Sequence, residues 1–156
     1  MPGGDRRGWR IAPGDLADTA VIALLTTHLH LSHATGSVHV LDLDGLRAPD
    51  IRFWTIHAGE DLVGCGALKR LSADHGEVKS MHATQSWRGH GVGSAMLAHI
   101  VATARGGGFA RLSLETGSSD YFRPARALYA RHGFIACGPF GRYVPDPNSC
   151  FLTLAL

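Results

Sequence analysis

Several things that would narrow the role of this chain are scarce in it. Of 156 residues three are cysteine, Cys65, Cys137 and Cys150; they lie far apart and form no C-x-x-C pair. That usage suits free thiols in a reducing compartment, so the cytoplasm is the expected location. No stretch approaches the roughly eighteen apolar residues that a spanning helix needs. The opening M-P-G-G-D-R-R-G-W-R has positive charge but no apolar region behind it, and after Arg6-Arg7 the apolar start at Ile11 is broken by Pro13, Gly14 and Asp15. Neither export nor membrane anchoring is expected. Charge of one sign is also lacking: the formal net charge is +2, and no run of Lys and Arg is interleaved with aromatics. A nucleic-acid partner is therefore not expected.

What is present is a foldable composition, 45% hydrophobic with three Trp, three Tyr and six Phe. The length suits one domain, residues 1–156, and is too short for two well-built ones. Residues 9–12 read as a strand, and Pro13-Gly14-Asp15 as a turn in which Asp15 caps a helix over residues 16–31. Residues 36–50 mix Gly, Asp and Pro with Val and Leu and read as a structured connector carrying substrate-facing residues. Residues 51–57 and 61–71 flank Ala58-Gly59-Glu60 as a hairpin, and Ala73-Asp74-His75-Gly76 turns into a strand over residues 77–83.

A helix over residues 92–104 follows, with Val92, Met96 and Ile100 on its apolar face and Gly106-Gly107-Gly108 ending it. Residues 110–115 alternate as a strand. Pro124 opens a short helix that Gly133 closes, and residues 134–137 and 150–156 supply two last strands. The order β-α-β-β-β-α-β-α-β-β predicts an α+β fold with a mixed, mostly antiparallel sheet, in which the helical crossover makes the fourth and fifth strands parallel.

Arg88-Gly89-His90-Gly91-Val92-Gly93 stands between a strand and a helix. A helix N-terminus offers unpaired N–H groups and the positive end of a dipole, glycines let the backbone approach phosphate oxygens, and Arg88 adds a charge-assisted contact. The ligand this suits is a pyrophosphate. No Lys-Ser or Lys-Thr follows as in a nucleotide-triphosphate loop, and no acidic residue is evident about twenty positions on as in a dinucleotide fold.

With these residues in place the chain resembles the GNAT superfamily of N-acetyltransferases. The family motif Arg/Gln-x-x-Gly-x-Gly/Ala is matched by Arg88, Gly91 and Gly93. The family's Ala-x-x-Leu-Tyr-x-x-x-Gly-Phe is matched by the run Ala125 to Phe134, which includes Leu128, Tyr129 and Gly133. The tail, Pro139-Phe140 with Asp146-Pro147-Asn148-Ser149, is similar to a bacterial subgroup whose members are named only by family. The resemblance implies an α/β/α layered fold whose fourth and fifth strands splay apart to hold the pantetheine of acetyl-CoA. Backbone groups of Met81, His82 and Ala83 would bond its amides. Arg88, Gly89, His90, Gly91, Val92, Gly93 and Ser94 would cradle its pyrophosphate.

The activity implied is direct attack of a primary amine on the thioester, with a backbone N–H near Met81 or His82 stabilising the oxyanion. Tyr129 is the residue expected to meet the departing thiolate. Proton transfer from an ordinary Tyr to a thiolate runs uphill by roughly 2 kcal/mol, so a hydrogen-bond donor is the role expected. Freeing the amine of its proton needs a base, for which Glu77 ranks slightly ahead of Glu115, with a water chain as the third choice. A solvated carboxylate, or an ion pair of Glu77 with Lys79, is the competing reading. Relatives often carry Asn where Phe122 stands, and Ser118 or Ser119 is the expected substitute for its cofactor contact.

His28, His30 and His33 lack a carboxylate or Cys at ligand spacing, so surface histidines and no metal are expected. Phe53, Trp54 and Trp87 read as core or cover. The expected partner is a small-molecule amine; a protein lysine or N-terminus is the lesser variant, a homodimer is left open, and a non-catalytic acyl-CoA sensor is the rival from another class.

Overall fold

Asp18, not Asp15, opens the first helix. In the computed structural model, which describes residues 8–34 and 43–156 and all their side chains except those of 28–34, both aspartates cap in succession. The Asp15 carboxylate takes the Ala17 N–H at 2.8 Å and the Asp18 carboxylate takes the Ala20 N–H at 2.8 Å. Two such turns in a row delay the helix, so α1 spans Thr19–Ala34 rather than residues 16–31, and Leu16 is buried from the turn before it. Residues 36–42 of the expected connector and the side chains of His28, His30 and His33 lie outside the described residues. The rest of the connector includes one helical turn, α2, Leu43–Leu46, which buries Leu46.

The strands are β1 Trp9–Pro13, β2 Ile51–Ala58, β3 Asp61–Arg70, β4 His75–Ala83, β5 Arg111–Gly117, β6 Ile135–Ala136 and β7 Ser149–Ala155. The longer helices of the second half are α3, Val92–Gly106, and α4, Arg123–Arg131. Together the strands form one seven-stranded sheet in the order β1-β2-β3-β4-β5-β7-β6. Every neighbouring pair is antiparallel except β4 with β5, as the crossover through α3 requires. The hairpin before β4 is tighter than the sequence suggests: the Leu71 N–H already reaches the His75 carbonyl at 2.8 Å, so His75 and Gly76 belong to the strand.

Each face of the sheet has its own core. On one face α3 buries Val92, Met96, Leu97, Ile100 and Ala104 against Val63, Val78, Leu112 and Leu114, with Tyr129 and Phe134 closing the cluster. Burial of each large aliphatic chain there contributes about 1.5–3 kcal/mol. On the other face α1 packs Val21, Leu24 and Leu25 on Phe53, Cys65 and Ala67. Phe53 and Trp54 are core, as expected, and Trp87 covers Trp9 edge-on.

Candidate active site

The site begins with a fault in the sheet. β4 and β5 pair over only three residues each, His75–Gly76–Glu77 beside Arg111–Leu112–Ser113. Past that point β4 stays with β3 as far as Ala83 and β5 stays with β7 as far as Gly117, so the two diverge. The cause is a β-bulge. Cys65 pairs with His82 and Ala67 with Lys79, which sets both Ser80 and Met81 opposite Gly66. Ser80 takes a left-handed conformation, φ 54°, that bends the strand. Gly66 is the residue that allows it, since a Cβ there would come within 2.7 Å of Met96 and 2.9 Å of Met81. The Cys65 thiol donates to the Ser80 carbonyl at 3.2 Å beneath the bulge, and burial pushes it up to about 12, so it is an inert pin.

Divergence leaves the β5-facing edge of β4, where Met81, His82 and Ala83 lie, with no strand beside it. Its backbone groups are therefore placed to bond the amides of an extended ligand, much as a strand would.

At the wide end of the gap stands the Gly-rich loop. Gly89 and Gly91 have φ of 77° and 89°, a region that favours glycine, and Gly91 caps α3 without a side chain. Ala95 is the first residue of the helix to return its N–H, to Gly91 at 3.0 Å, so the amides of Val92, Gly93 and Ser94 point out unpaired. A Cβ on Gly93 would lie 3.0 Å from Leu128, so glycine lets α3 and α4 approach here. The Val92 side chain is buried beneath Gly64. Ser94 shares a hydrogen bond of 2.9 Å with the His132 ring at the end of α4.

Arg88 does not stand alone over the loop. It donates to the Tyr121 hydroxyl at 2.7 Å and lies over the Tyr121 ring, so it spans from the lip after β4 to the lip after β5. Tyr121 escaped the sequence reading because nothing in its neighbourhood marks it. The His90 ring turns back to the Arg88 carbonyl at 3.0 Å and stacks edge-on against Trp87. Beside this lip an open cleft of about 670 Å³ runs between α1 and residues 82–88.

The two serines at the exit of β5 differ. Ser118 donates its hydroxyl to the Pro147 carbonyl at 2.7 Å and its N–H to Asn148 at 3.0 Å, so it ties the loop before β7 to the sheet. The Ser119 hydroxyl is buried and has no hydrogen-bond partner among the described residues. Phe122 packs under Gly117, where a Cβ would meet its ring at 2.0 Å, and fills the end of β5.

Of the remaining candidates, Glu77 ends the pairing of β4 with β5 and Glu115 lies two residues beyond it on β5. Tyr129 comes from α4, on the face of α3, with its ring edge-on to Phe134 and little of it exposed. Burial first, and then the charge of Glu115, push its hydroxyl well above the usual tyrosine value. Glu77 is on the opposite face and is only 4% exposed. Its Oε2 accepts from the Tyr143 hydroxyl at 2.6 Å, and Lys79 Nζ lies 3.6 Å from the same oxygen. Glu115 accepts from Ser149 at 2.7 Å. Tyr143 is likewise pushed up, by burial first and then by Glu77 and Glu115.

Glu115 therefore acts electrostatically on both tyrosines, and the direct contact among these groups is the hydrogen bond from Tyr143 to Glu77. Tyr143 was missed: its only signal is an aromatic residue in the loop before β7. Among the described residues no group of three or more His, Cys, Asp or Glu side chains could hold a metal, and no helix is long and apolar enough to cross a membrane.

Known proteins share this fold. The family model for the GNAT acetyltransferases matches residues 20–134. The chain belongs to this family. It is 47% identical over 145 residues to YsnE of Bacillus subtilis (strain 168), named an uncharacterised N-acetyltransferase, an overlap covering 91% of this chain and 96% of that one. An IAA acetyltransferase of Azospirillum brasilense is 39% identical over 144 residues, covering 92% and 93%. Among solved structures, a Klebsiella pneumoniae protein named for acyl-CoA N-acyl transfer superposes with a TM-score of 0.77 at 30% identity, covering 95% and 97%. A GNAT acetyltransferase of Elizabethkingia anophelis, solved with acetyl-CoA bound, shares the fold with a TM-score of 0.69 at 16% identity, covering 95% and 98%. As a GNAT member the chain is an acetyl-CoA-dependent N-acetyltransferase, and its seven-stranded sheet with flanking helices is the fold of the family.

Proposed function

We propose that this GNAT enzyme moves an acetyl group from acetyl-CoA to the primary amine of a small molecule by direct attack, and that the residues at the splay carry it. The observation behind the proposal is the parting of β4 from β5 after Glu77 and Ser113, with Glu115 just beyond it on β5 and acting electrostatically on the buried Tyr129. The pyrophosphate fits the amides of Val92, Gly93 and Ser94, with Arg88 and the unpartnered Ser119 hydroxyl at its margins. The pantetheine amides fit the open edge of β4 at Met81, His82 and Ala83.

In the reaction the amine nitrogen bonds to the thioester carbonyl carbon and the C–S bond breaks. A backbone N–H of Met81 or His82 stabilises the oxyanion. The amine proton passes to the carboxylate side, with Glu77 ahead of Glu115 as the final acceptor because it is buried and already hydrogen-bonded by a hydroxyl. Tyr129 steadies the leaving thiolate by a hydrogen bond. Its raised value makes full proton donation still less favourable than the roughly 2 kcal/mol for an ordinary tyrosine.

The test is thiol release from acetyl-CoA with a panel of tryptamine, phenethylamine, 1,4-diaminobutane and free amino acids. Acetyl-CoA at a hundred times its Kd should stabilise the fold by about 2.7 kcal/mol. That shift together with release by at least one amine is the expected result. The same shift with silence across the panel would leave the sensor reading in its place.

A further inference from the structure

We infer that Tyr143 is a further residue of the acyl-transfer site, holding the Glu77 carboxylate in place and carrying the acceptor's proton to it. The inference rests on the acyltransferase reading above, and it names the group through which the buried base meets the acceptor. Glu77 is only 4% exposed, so an acceptor amine does not reach it freely. What covers its Oε2 is the Tyr143 hydroxyl, 2.6 Å away. An O–H that donates to a carboxylate and accepts from an amine N–H can pass one proton along: the amine proton moves to the tyrosine oxygen while the tyrosine proton moves to Glu77. Tyr143 ends neutral, as it began, and Glu77 holds the proton until solvent removes it.

The loop that carries Tyr143 is built to fix it there. The Tyr143 ring packs on Phe140 and Phe151, with centroids 5.1 and 5.6 Å apart, and Phe140 packs on Phe151. The Tyr143 N–H closes a turn to the Phe140 carbonyl at 3.0 Å. Beyond the ring, Ser118 holds Pro147 and Asn148, and Ser149 donates to Glu115. A rigid aromatic tripod of this kind positions a hydroxyl within the tolerance that proton transfer needs.

The charged groups around Glu77 leave Tyr143 as its one short hydrogen-bond donor among the described residues. Lys79, two residues on along β4, is 3.6 Å from the oxygen. Lys69 is its register partner on β3 and makes no ion pair with it among the described residues. The His75 ring, on the same strand, is occupied with Ser113 at 2.7 Å, and Arg111 on β5 with Thr153 at 2.9 Å. Glu115 faces the pair from β5, and its charge, like that of Glu77, helps keep Tyr143 protonated.

The experiment compares wild type with Tyr143→Phe, which keeps the ring and loses one oxygen, using the most rapidly acetylated amine of the panel. Expected are a fall in kcat of at least tenfold, a KM for acetyl-CoA within twofold of wild type, and an acid limb of the kcat/KM profile displaced to higher pH. The displacement follows because a hydrogen bond to the charged form of a carboxylate favours that form. A loop that only packs would leave that limb where it is. Wild-type turnover with an unchanged kcat and acid limb in Tyr143→Phe overturns the inference and leaves the acyltransferase reading intact. Glu77→Gln combined with Tyr143→Phe should be no slower than Glu77→Gln alone, and multiplicative losses would also overturn it.

Discussion

The two faces of the sheet at the splay are built on opposite principles. On the α3 face the gap is lined by aliphatic and aromatic packing, and the one functional group proposed there, the Tyr129 hydroxyl, is held protonated by burial. On the α1 face Glu77 is met by the Tyr143 hydroxyl and by Lys79, and Glu115 accepts from Ser149. A thioester lying between them would meet an acceptor from the polar side and release its thiolate toward the dry side. The separation lets one site keep a carboxylate base and a protonated donor on opposite faces of the sheet, because each has its own surroundings.

The sharpest way to break this contrast is to neutralise the polar side. Glu77→Gln keeps shape and should lower kcat by about a thousandfold, the middle of the range for general acid–base catalysis, while acetyl-CoA still raises Tm as in wild type. If kcat fell less than threefold, the base would have to be Glu115 or water. Next in size is the aliphatic packing of the dry side, where the loss should appear in stability and not in chemistry. Met96 is fully buried between α3 and the bulge at Gly66, so Met96→Ala should cost about 3 kcal/mol in urea unfolding with kcat nearly unchanged at 20 °C. A large kcat effect with little loss of stability would show that the two faces are not separable.

The contrast also marks how much could be read from the chain itself. The dry side was legible: Val92, Met96 and Ile100 recur at helical spacing, strands alternate, and Gly91 and Gly93 sit between a strand and a helix as an anion cradle requires. Of the residues that resemblance placed at the site, Glu77 and Glu115 stand where β4 and β5 part, and Glu115 acts electrostatically on Tyr129. The polar side was less legible because its contacts span long separations. Tyr143 reaches Glu77 across 66 positions and Arg88 reaches Tyr121 across 33, and no local pattern encodes such pairs. The helix start was misplaced for the reverse reason: Asp15 and Asp18 are both good caps, and which one opens the helix is decided by where Leu16 finds the core.

Tyr129→Phe should have a smaller effect than Glu77→Gln, a fall in kcat of about tenfold with Kd for acetyl-CoA within twofold, because a steadying hydrogen bond is lost and no proton donor is. A thousandfold loss would instead mean that Tyr129 gives up its proton. Its raised value speaks against that, and so does the persistence expected in alkali: Tyr129 and Tyr143 should both stay protonated when the pH passes 10, seen as missing tyrosinate absorbance that appears only on unfolding.

The smallest effect belongs to the histidines of the dry side. His132, against Ser94, and His99, edge-on to Trp54, are both shifted below the usual histidine value, by burial first and then by Arg131 and Arg52 respectively. The unfolded chain then binds protons near pH 6.5 that the folded chain resists, so the unfolded state gains as pH falls. The contribution of these two rings is complete above about pH 6.5 and is lost as the pH drops through their folded values. Urea midpoints should therefore decline from pH 7 to pH 5, and the decline should be shallower in His99→Gln with His132→Gln. An equal slope in that double variant would place the acid sensitivity in the carboxylates of the α1 face, and the two faces would then differ in which side of neutrality they resist.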